Sequence, residues 1–161
     1  SRGVPEDKIA VIYNWSSERV YTSPVSIPER RPGAPLQIMY AGNFGPLQAL
    51  DNVIRALADL PPEDYSLTLV GGGSEEESLR ELVDALGLKN VTFVGPRALG
   101  EMPGVLAQAH VHLVSLRDDP LFEVTIPGKL QSLMLAGVPI VGCLAGEPRS
   151  IIERAGAGWV T

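Results

Sequence analysis

The chain has a single cysteine, Cys143, in 161 residues. That excludes an internal disulfide and any site built from several thiolates. The cysteine lies in an apolar run (IVGCL) and reads as a small core residue rather than a nucleophile. No apolar run approaches the roughly 20 residues that cross a bilayer, and no secretory signal opens the chain. A basic stripe is missing too: 13 Lys and Arg stand against 19 Asp and Glu, a net charge of −6, which argues against broad nucleic-acid binding. Any anionic ligand must therefore be held by local groups. There is no GxxxxGK[ST] phosphate loop, no GxSxG elbow, no HExxH and no CxxC pair, so catalysis by an obvious nucleophile is not indicated. These absences together point to a cytoplasmic protein, and the length to one domain able to bury a proper core.

What is present is alternation. Ser1 to Pro5 reads as a frayed start, and Lys8 to Trp15 (KIAVIYNW) as a first strand, because Ile9, Val11 and Tyr13 alternate with Ala10, Ile12 and Asn14. The proline-rich stretch Ser23 to Pro35 reads as a loop. Leu36 to Ala41 is then a strand ending in Gly42-Asn43-Phe44-Gly45, followed by a helix from about Pro46 to Asp59 with Leu50, Val53, Ile54 and Leu57 on one face. Ser66 to Val70 is a strand, and Ser74 with Glu77 forms a capping box for a helix that Gly87 stops. Strand Val91 to Val94 ends in Gly95-Pro96-Arg97, and a helix around Met102 to Ala109 leads to strand His110 to Leu116. After a loop, Arg117 to Thr125, Pro127 takes the first position of a helix that Gly137 ends, and Val138 to Val141 is a strand. A helix from about Glu147 to Arg154 and a strand from Gly158 complete the reading. Strands alternating with helices predict an α/β fold, a Rossmann-like parallel sheet with helices on both faces. Continuous apolar runs such as LTLV fit strands buried on both sides.

Ligands of such sheets bind at the carboxyl ends of the strands. The Gly42–Gly45 turn can bring backbone N–H groups close to a phosphate, although a tight turn alone also requires glycine. Gly71-Gly72-Gly73-Ser74-Glu75-Glu76 is G-x-G-x-x-E, and glutamates where a pyrophosphate should lie disfavour a dinucleotide-binding dehydrogenase. Those glutamates are better placed to stabilise the positive end of their own helix. His110 and His112 are two apart with no third ligand at metal-site spacing, so a structural role is expected and no metal site. Arg117-Asp118-Asp119 could form an acidic site, although a solvated polar loop is the commoner case. What remains is a polar set at the sheet's carboxyl edge: the Gly42 turn, the Gly95–Arg97 turn, and Glu123 with Lys129 and Gln131, which suits a ligand carrying phosphates and hydroxyls.

The order of these pieces resembles the donor-binding half of a GT-B glycosyltransferase of the large retaining group called family 4. KIAVIYNW, YAGNFGPLQALDNVIRAL, LTLVGGG…LRELVDALGLKNVTFVGP and TIPGKLQSLMLAGVPIVG are each similar to a phrase of that family, in the same order. The "AGN-x-G-x-x-Q" turn and "T-I-P-x-K" are most similar to bacterial transferases that add N-acetylated amino sugars to surface polysaccharides. The resemblance implies a UDP-sugar donor, retention at the anomeric carbon and no cofactor. It implies donor binding by Gly42, Asn43, Phe44, Gly45, Gln48, Gly95, Arg97, Glu123, Ile126, Lys129 and Gln131, with Glu123 and Lys129 catalytic. The family's E-x7-E motif falls on Glu123 and Gln131, so the second carboxylate is an amide here. Gln48 stands where many members carry a base for the diphosphate, which leaves Lys129 as the best candidate to balance it, helped by the amides of Phe44 and Gly45. Residues 1–161 would be one donor domain, a fragment lacking its N-terminal acceptor domain and the final C-terminal helices. The full enzyme could act on a lipid-linked acceptor at the inner membrane face. Alternatives are half of a sugar-nucleotide 2-epimerase, or a degenerate non-catalytic α/β interaction module.

Overall fold

The computed structural model describes residues 3–15 and 24–161. The expected loop from Ser23 loses its first residue to this limit, as the ragged start loses its first two. Six parallel strands form one sheet in the order β3-β2-β1-β4-β5-β6. They are β1 (Leu36–Asn43), β2 (Tyr65–Gly72), β3 (Val91–Val94), β4 (Val111–Ser115), β5 (Ile140–Cys143) and β6 (Gly158–Val160). The helices are α1 (Leu50–Ala58), α2 (Glu76–Ala85), α3 (Met102–Leu106), α4 (Pro120–Glu123), α5 (Gly128–Ala136) and α6 (Gly146–Ala155). The α/β Rossmann-like expectation is met. The chain winds outward from β1 in one direction and from β4 in the other, so the topological switch lies between these two strands.

Alternation along the strands sorts the core into two layers. Met39 of β1, Val70 of β2, Val114 of β4 and Ile140 of β5 pack against Leu106 of α3, Leu130, Leu133 and Ala136 of α5, and Ile152 of α6. Ile38 and Tyr40, Leu67 and Leu69, and Val111 and Leu113 face the other way, onto Leu50, Val53 and Ile54 of α1 and Leu79 and Val83 of α2. A fully buried leucine such as Leu67, Leu69 or Leu130 (each 0% exposed) removes apolar surface worth about 2–3 kcal/mol. The two layers therefore carry most of the drive for folding.

The carboxyl edge of the sheet rests on a close approach of two backbones. β1 and β2 pair over eight positions, as far as Gly42 with Gly71 and Asn43 with Gly72. Gly71 sits at φ 135°, and a Cβ there would overlap the carbonyl oxygen of Gly42. The Phe44 N–H donates to Gly72 O at 2.9 Å and the Glu75 N–H to Phe44 O at 2.9 Å, tying the turn after β1 to the start of α2.

Several local expectations need correction. Lys8–Trp15 is not a strand: residues 6–8 form a single 3-10 turn, and residues 9–15 pair with no strand. Val11 (78% exposed) and Ile12 (82%), which alternation assigns to opposite faces, both lie in the open. Alternation describes one apolar face but supplies no ladder partner. The segment is instead fastened by Tyr13, whose hydroxyl donates to Glu147 Oε1 at 2.6 Å. The Ser74–Glu77 capping box is also absent. Glu75 is the N-cap of α2 with no side-chain cap, because the tertiary bond from Glu75 N to Phe44 O already orders that end. The helix expected from Pro46 splits into a 3-10 turn (Pro46–Gln48) and α1, hinged on Ala49 in the left-handed region (φ 46°). Pro127 is the N-cap of α5 rather than its first residue. Residues 117–125 are not all loop, since Asp119 Oδ1 accepts from Leu121 N at 2.8 Å and starts the single turn α4.

Gly71→Ala is expected to cost several kcal/mol, about 3 or more, by breaking the β1–β2 edge. Gly87→Ala meets open space at φ 66° and should cost only about 1–2 kcal/mol. Urea denaturation of the two variants beside the parent checks the difference.

Candidate functional site

The site begins where β1 and β4 part. They pair at only two positions, Ile38–Val111 and Met39–His112, whereas the β1–β2 ladder continues to Asn43. Beyond Met39 the carboxyl halves of β1 and β4 leave a split at the switch point. Lys129, in the first turn of α5, reaches the end of β1. Its neighbour Leu130 packs in the α3–α5–α6 layer, yet the Lys129 Nζ lies 3.6 Å from the centre of the Tyr40 ring, which belongs to the opposite layer. The Tyr40 hydroxyl is turned away and donates to Asn43 O at 2.7 Å. A Cβ on Gly42 would stand 2.6 Å from Nζ, so a side chain there would displace the tip of the lysine.

This ammonium position is unusual in its lack of partners. The Nζ is closed to solvent and has no hydrogen-bond acceptor. Burial lowers the amine from its ordinary 10.5 to about 7, and no carboxylate offsets that loss of hydration. The face of the Tyr40 ring is the one favourable contact recorded for the charge.

Two cavities flank the split along the carboxyl edge. One of about 360 Å³ is lined by Gly42 and Asn43, by Gly71 and Gly72, and by Pro96 and Arg97. The other, about 450 Å³, is lined by Asn52 of α1, Ser115 of β4, Arg117, Asp119 and Glu123 of the following segment, and Arg149 of α6. Glu123 reaches it because α4 packs close against α6: a Cβ on Gly146 (φ 69°) would overlap the Glu123 backbone. Arg117 clamps the β4 loop to the turn after β1, its Nε donating to Pro46 O at 3.0 Å and its N–H to Leu47 O at 2.8 Å.

The residues singled out in the sequence are thus distributed unequally. Gly42, Asn43 and Arg97 share the smaller cavity, and Lys129 adjoins it at Gly42. Glu123 lies in the larger one. Phe44 is a core residue, fully buried with its ring 6.1 Å from that of Tyr40 and 6.3 Å from that of Phe93. Its amide is bonded to Gly72 O, and the amide of Gly45 donates to Gln48 Oε1 at 3.1 Å. Neither amide meets a phosphate without giving up that bond, a constraint the glycine-turn reading did not contain. Gln48 serves its own turn. Gly95 is exposed, and Ile126 packs on the α3–α5–α6 layer. Gln131, with its amide nitrogen toward the carbonyls, donates to Pro127 O and Gly128 O at 3.0 Å and leaves its oxygen available.

Sequence reasoning passed over Ser115 and Arg149, and it treated Arg117 only as part of a polar loop. The available signal was weak: Ser115 ends an apolar strand, and Arg149 is one arginine in a polar helix start. The two histidines are structural, as expected. His110 Nδ1 accepts from Gln37 N at 2.8 Å, and buried His112, bonded through Nε2 to Leu106 O at 3.0 Å, is lowered to about 4 and stays neutral. No cluster of three metal-ligating side chains occurs among the described residues. Nor, among them, is any helix long and apolar enough to cross a membrane.

Fold and crevice together define a doubly wound α/β domain with its topological switch between β1 and β4. The chain belongs to the family described as glycosyl transferases group 1, which matches residues 35–161. It is 27% identical over 143 residues to the Escherichia coli K12 protein named putative colanic acid biosynthesis glycosyl transferase WcaI, covering 84% of this chain and 35% of that one. It is likewise 27% identical over 160 residues to the probable glycosyltransferase WbjE of Pseudomonas aeruginosa, covering 94% of this chain and 39% of that one. The chain therefore spans well under half the length of these relatives. Among solved structures, the lipopolysaccharide outer core galactosyltransferase WaaB superposes over 99% of this chain and 44% of its own, with a TM-score of 0.75 at 22% identity, which speaks for the fold. Anabaena HepE, solved in complex with UDP, superposes over 79% of this chain and 35% of its own, with a TM-score of 0.64 at 25% identity. Neither the epimerase nor the interaction-module alternative is favoured by this company.

The lysine generates a prediction on stability. Its folded value (about 7) is below its unfolded one (10.5), so between these values the unfolded chain holds a proton that the folded chain does not. Stability contributed by this site therefore rises with pH across that window and is lowest below pH 7. Lys129→Met should be more stable than the parent below pH 7, by up to about 5 kcal/mol, with the gap closing toward pH 10. Denaturant titrations of both proteins between about pH 6.5 and 9.5 measure it.

Proposed function

We propose that this chain is the nucleotide-sugar-binding half of a retaining GT-B glycosyltransferase of family 4 that serves surface polysaccharide synthesis, with a UDP-sugar as donor. The observation that carries the reading is the Lys129 amine, without an acceptor, beside Gly42 at the switch point, where a diphosphate would supply the missing partner. HepE, solved with UDP and with UDP-glucose, supports the choice of nucleotide.

In this reading the diphosphate lies at the end of β1 against Lys129, and the base extends past Gly95 toward Arg97. The free oxygen of Gln131 accepts from a ribose hydroxyl, a neutral bond weaker than a carboxylate would make. Glu123 addresses the donor sugar from the larger cavity. As the glycosidic bond to phosphate breaks, negative charge grows on the leaving diphosphate, and a preorganised lysine stabilises it there without a metal. The acceptor, a lipid-linked sugar at the inner membrane face, would be presented by an N-terminal domain, and final helices would follow this segment in the whole enzyme. An aminosugar or other hexose is the group transferred. The 161 residues alone bind donor and do not transfer it; robust transfer by them would refute the assignment.

Calorimetric titration with UDP, GDP and ADP tests the reading. UDP should bind selectively; Lys129→Ala should weaken it at least tenfold, and Gln131→Glu should strengthen it a few-fold, the size of a gained charge-assisted bond. Equal binding of all three nucleotides, or an unchanged affinity in Lys129→Ala, would count against it.

A further inference from the structure

A cation meant for a soluble anion normally shows its charge to water, and Lys129 does not. Its tip lies at the carboxyl end of β1 beside Gly42, and its Nζ is shut against the Tyr40 ring, without solvent or acceptor. The groups facing it offer no counter-charge. From β1 comes Tyr40, whose phenol burial pushes far above the ordinary range, so it remains neutral. The buried histidine of β4, His112, is itself neutral and bonded to Leu106 O. The rest of α5 carries no ionisable side chain. Glu123 of α4 is exposed in the other cavity, and none of the ion pairs found among the described residues includes Lys129. Nothing but an aromatic face stabilises a charge at this depth, and a neutral amine avoids the loss of hydration.

We propose that Lys129 rests on the Tyr40 ring as a neutral amine, and that a diphosphate at the end of β1 draws it out and protonates it, making donor binding and proton uptake one event. The proposal rests on the donor-site reading above and adds to it a linkage to pH. The proton comes from water or buffer and adds to the lone pair of Nζ; no bond to phosphorus changes and nothing is oxidised. The unbranched stem lets the amine leave the ring for phosphate without moving α5. Affinity for a diphosphate should then fall roughly tenfold for each pH unit above neutrality, until the bound ammonium itself titrates. The tyrosine face would serve as the resting place of the amine.

The chain has three lysines, Lys8, Lys89 and Lys129. Carbon-13 labelling of the lysine ε-carbons therefore gives three NMR signals, and Lys129→Arg identifies the third. We would titrate the protein with pH alone, with inorganic pyrophosphate and with UDP, and measure heats of UDP binding at about pH 8.5 in buffers of different ionisation enthalpy, where linkage predicts uptake of nearly one proton. The expected result is a Lys129 signal that titrates near neutrality in the free protein and that both ligands shift upward by more than one pH unit. The uptake should vanish in Lys129→Arg, which is charged throughout, and in Lys129→Met. A free Lys129 that titrates at the ordinary lysine value of 10.5 overturns the proposal, as does UDP binding without proton uptake, or a signal that neither ligand moves. If pyrophosphate shifts the signal and UDP does not, the linkage stands and the nucleotide reading fails.

Discussion

The carboxyl edge of this sheet depends on two backbones touching. β1 and β2 stay paired until Gly71 lies against the Gly42 carbonyl, where no Cβ fits. Because they do, the Phe44 amide reaches Gly72, the Phe44 carbonyl receives Glu75 N, and α2 starts without a side-chain cap. The same contact sends the Phe44 ring into the core beside Tyr40 and Phe93. A turn that looks free for ligand binding is thus mostly spent on holding three elements together, and Gln48 spends the Gly45 amide as well.

On the other side of β1 the geometry is opposite. Its pairing with β4 ends after Met39, and at the carboxyl end of β1 the Lys129 amine of one layer's helix meets the Tyr40 ring of the other layer. Removing an amine from water is unfavourable, and burial here brings it no acceptor. A fold tolerates such a group when something else depends on it, and a titratable amine displaced toward neutrality in a cleft is a mark of functional sites. Membership of the glycosyl transferases group 1 family is what gives that mark the chemical direction taken in the proposed function.

The position of Glu123 shows how far the site is a product of packing. It stands at the end of the single turn α4, which Asp119 starts and which Gly146 of α6 allows to come close. Arg117 pins the preceding loop to the turn after β1. Two cavities result along the carboxyl edge, with the glycines and Arg97 in the first and the carboxylate in the second.

Much of the fold was legible because periodicity and glycine placement are short-range properties. The apolar runs marked all six strands, and Gly137 ends α5 in the left-handed conformation (φ 71°) as a helix-stopping glycine should. Where the reading failed, a remote partner decided. Lys8–Trp15 alternates like a strand but has no neighbour to pair with, and Ser74 is a good cap made unnecessary by Phe44 O. For the site, sequence alone brought Gly42, Arg97, Glu123 and Lys129 to one edge, since strand ends in a parallel sheet all face the same way. It could not separate them into two cavities or tell a spent amide from a free one. Nor could it say that the lysine is buried, because desolvation is set by groups from distant parts of the chain, here a tyrosine on β1 and the point at which β4 leaves it.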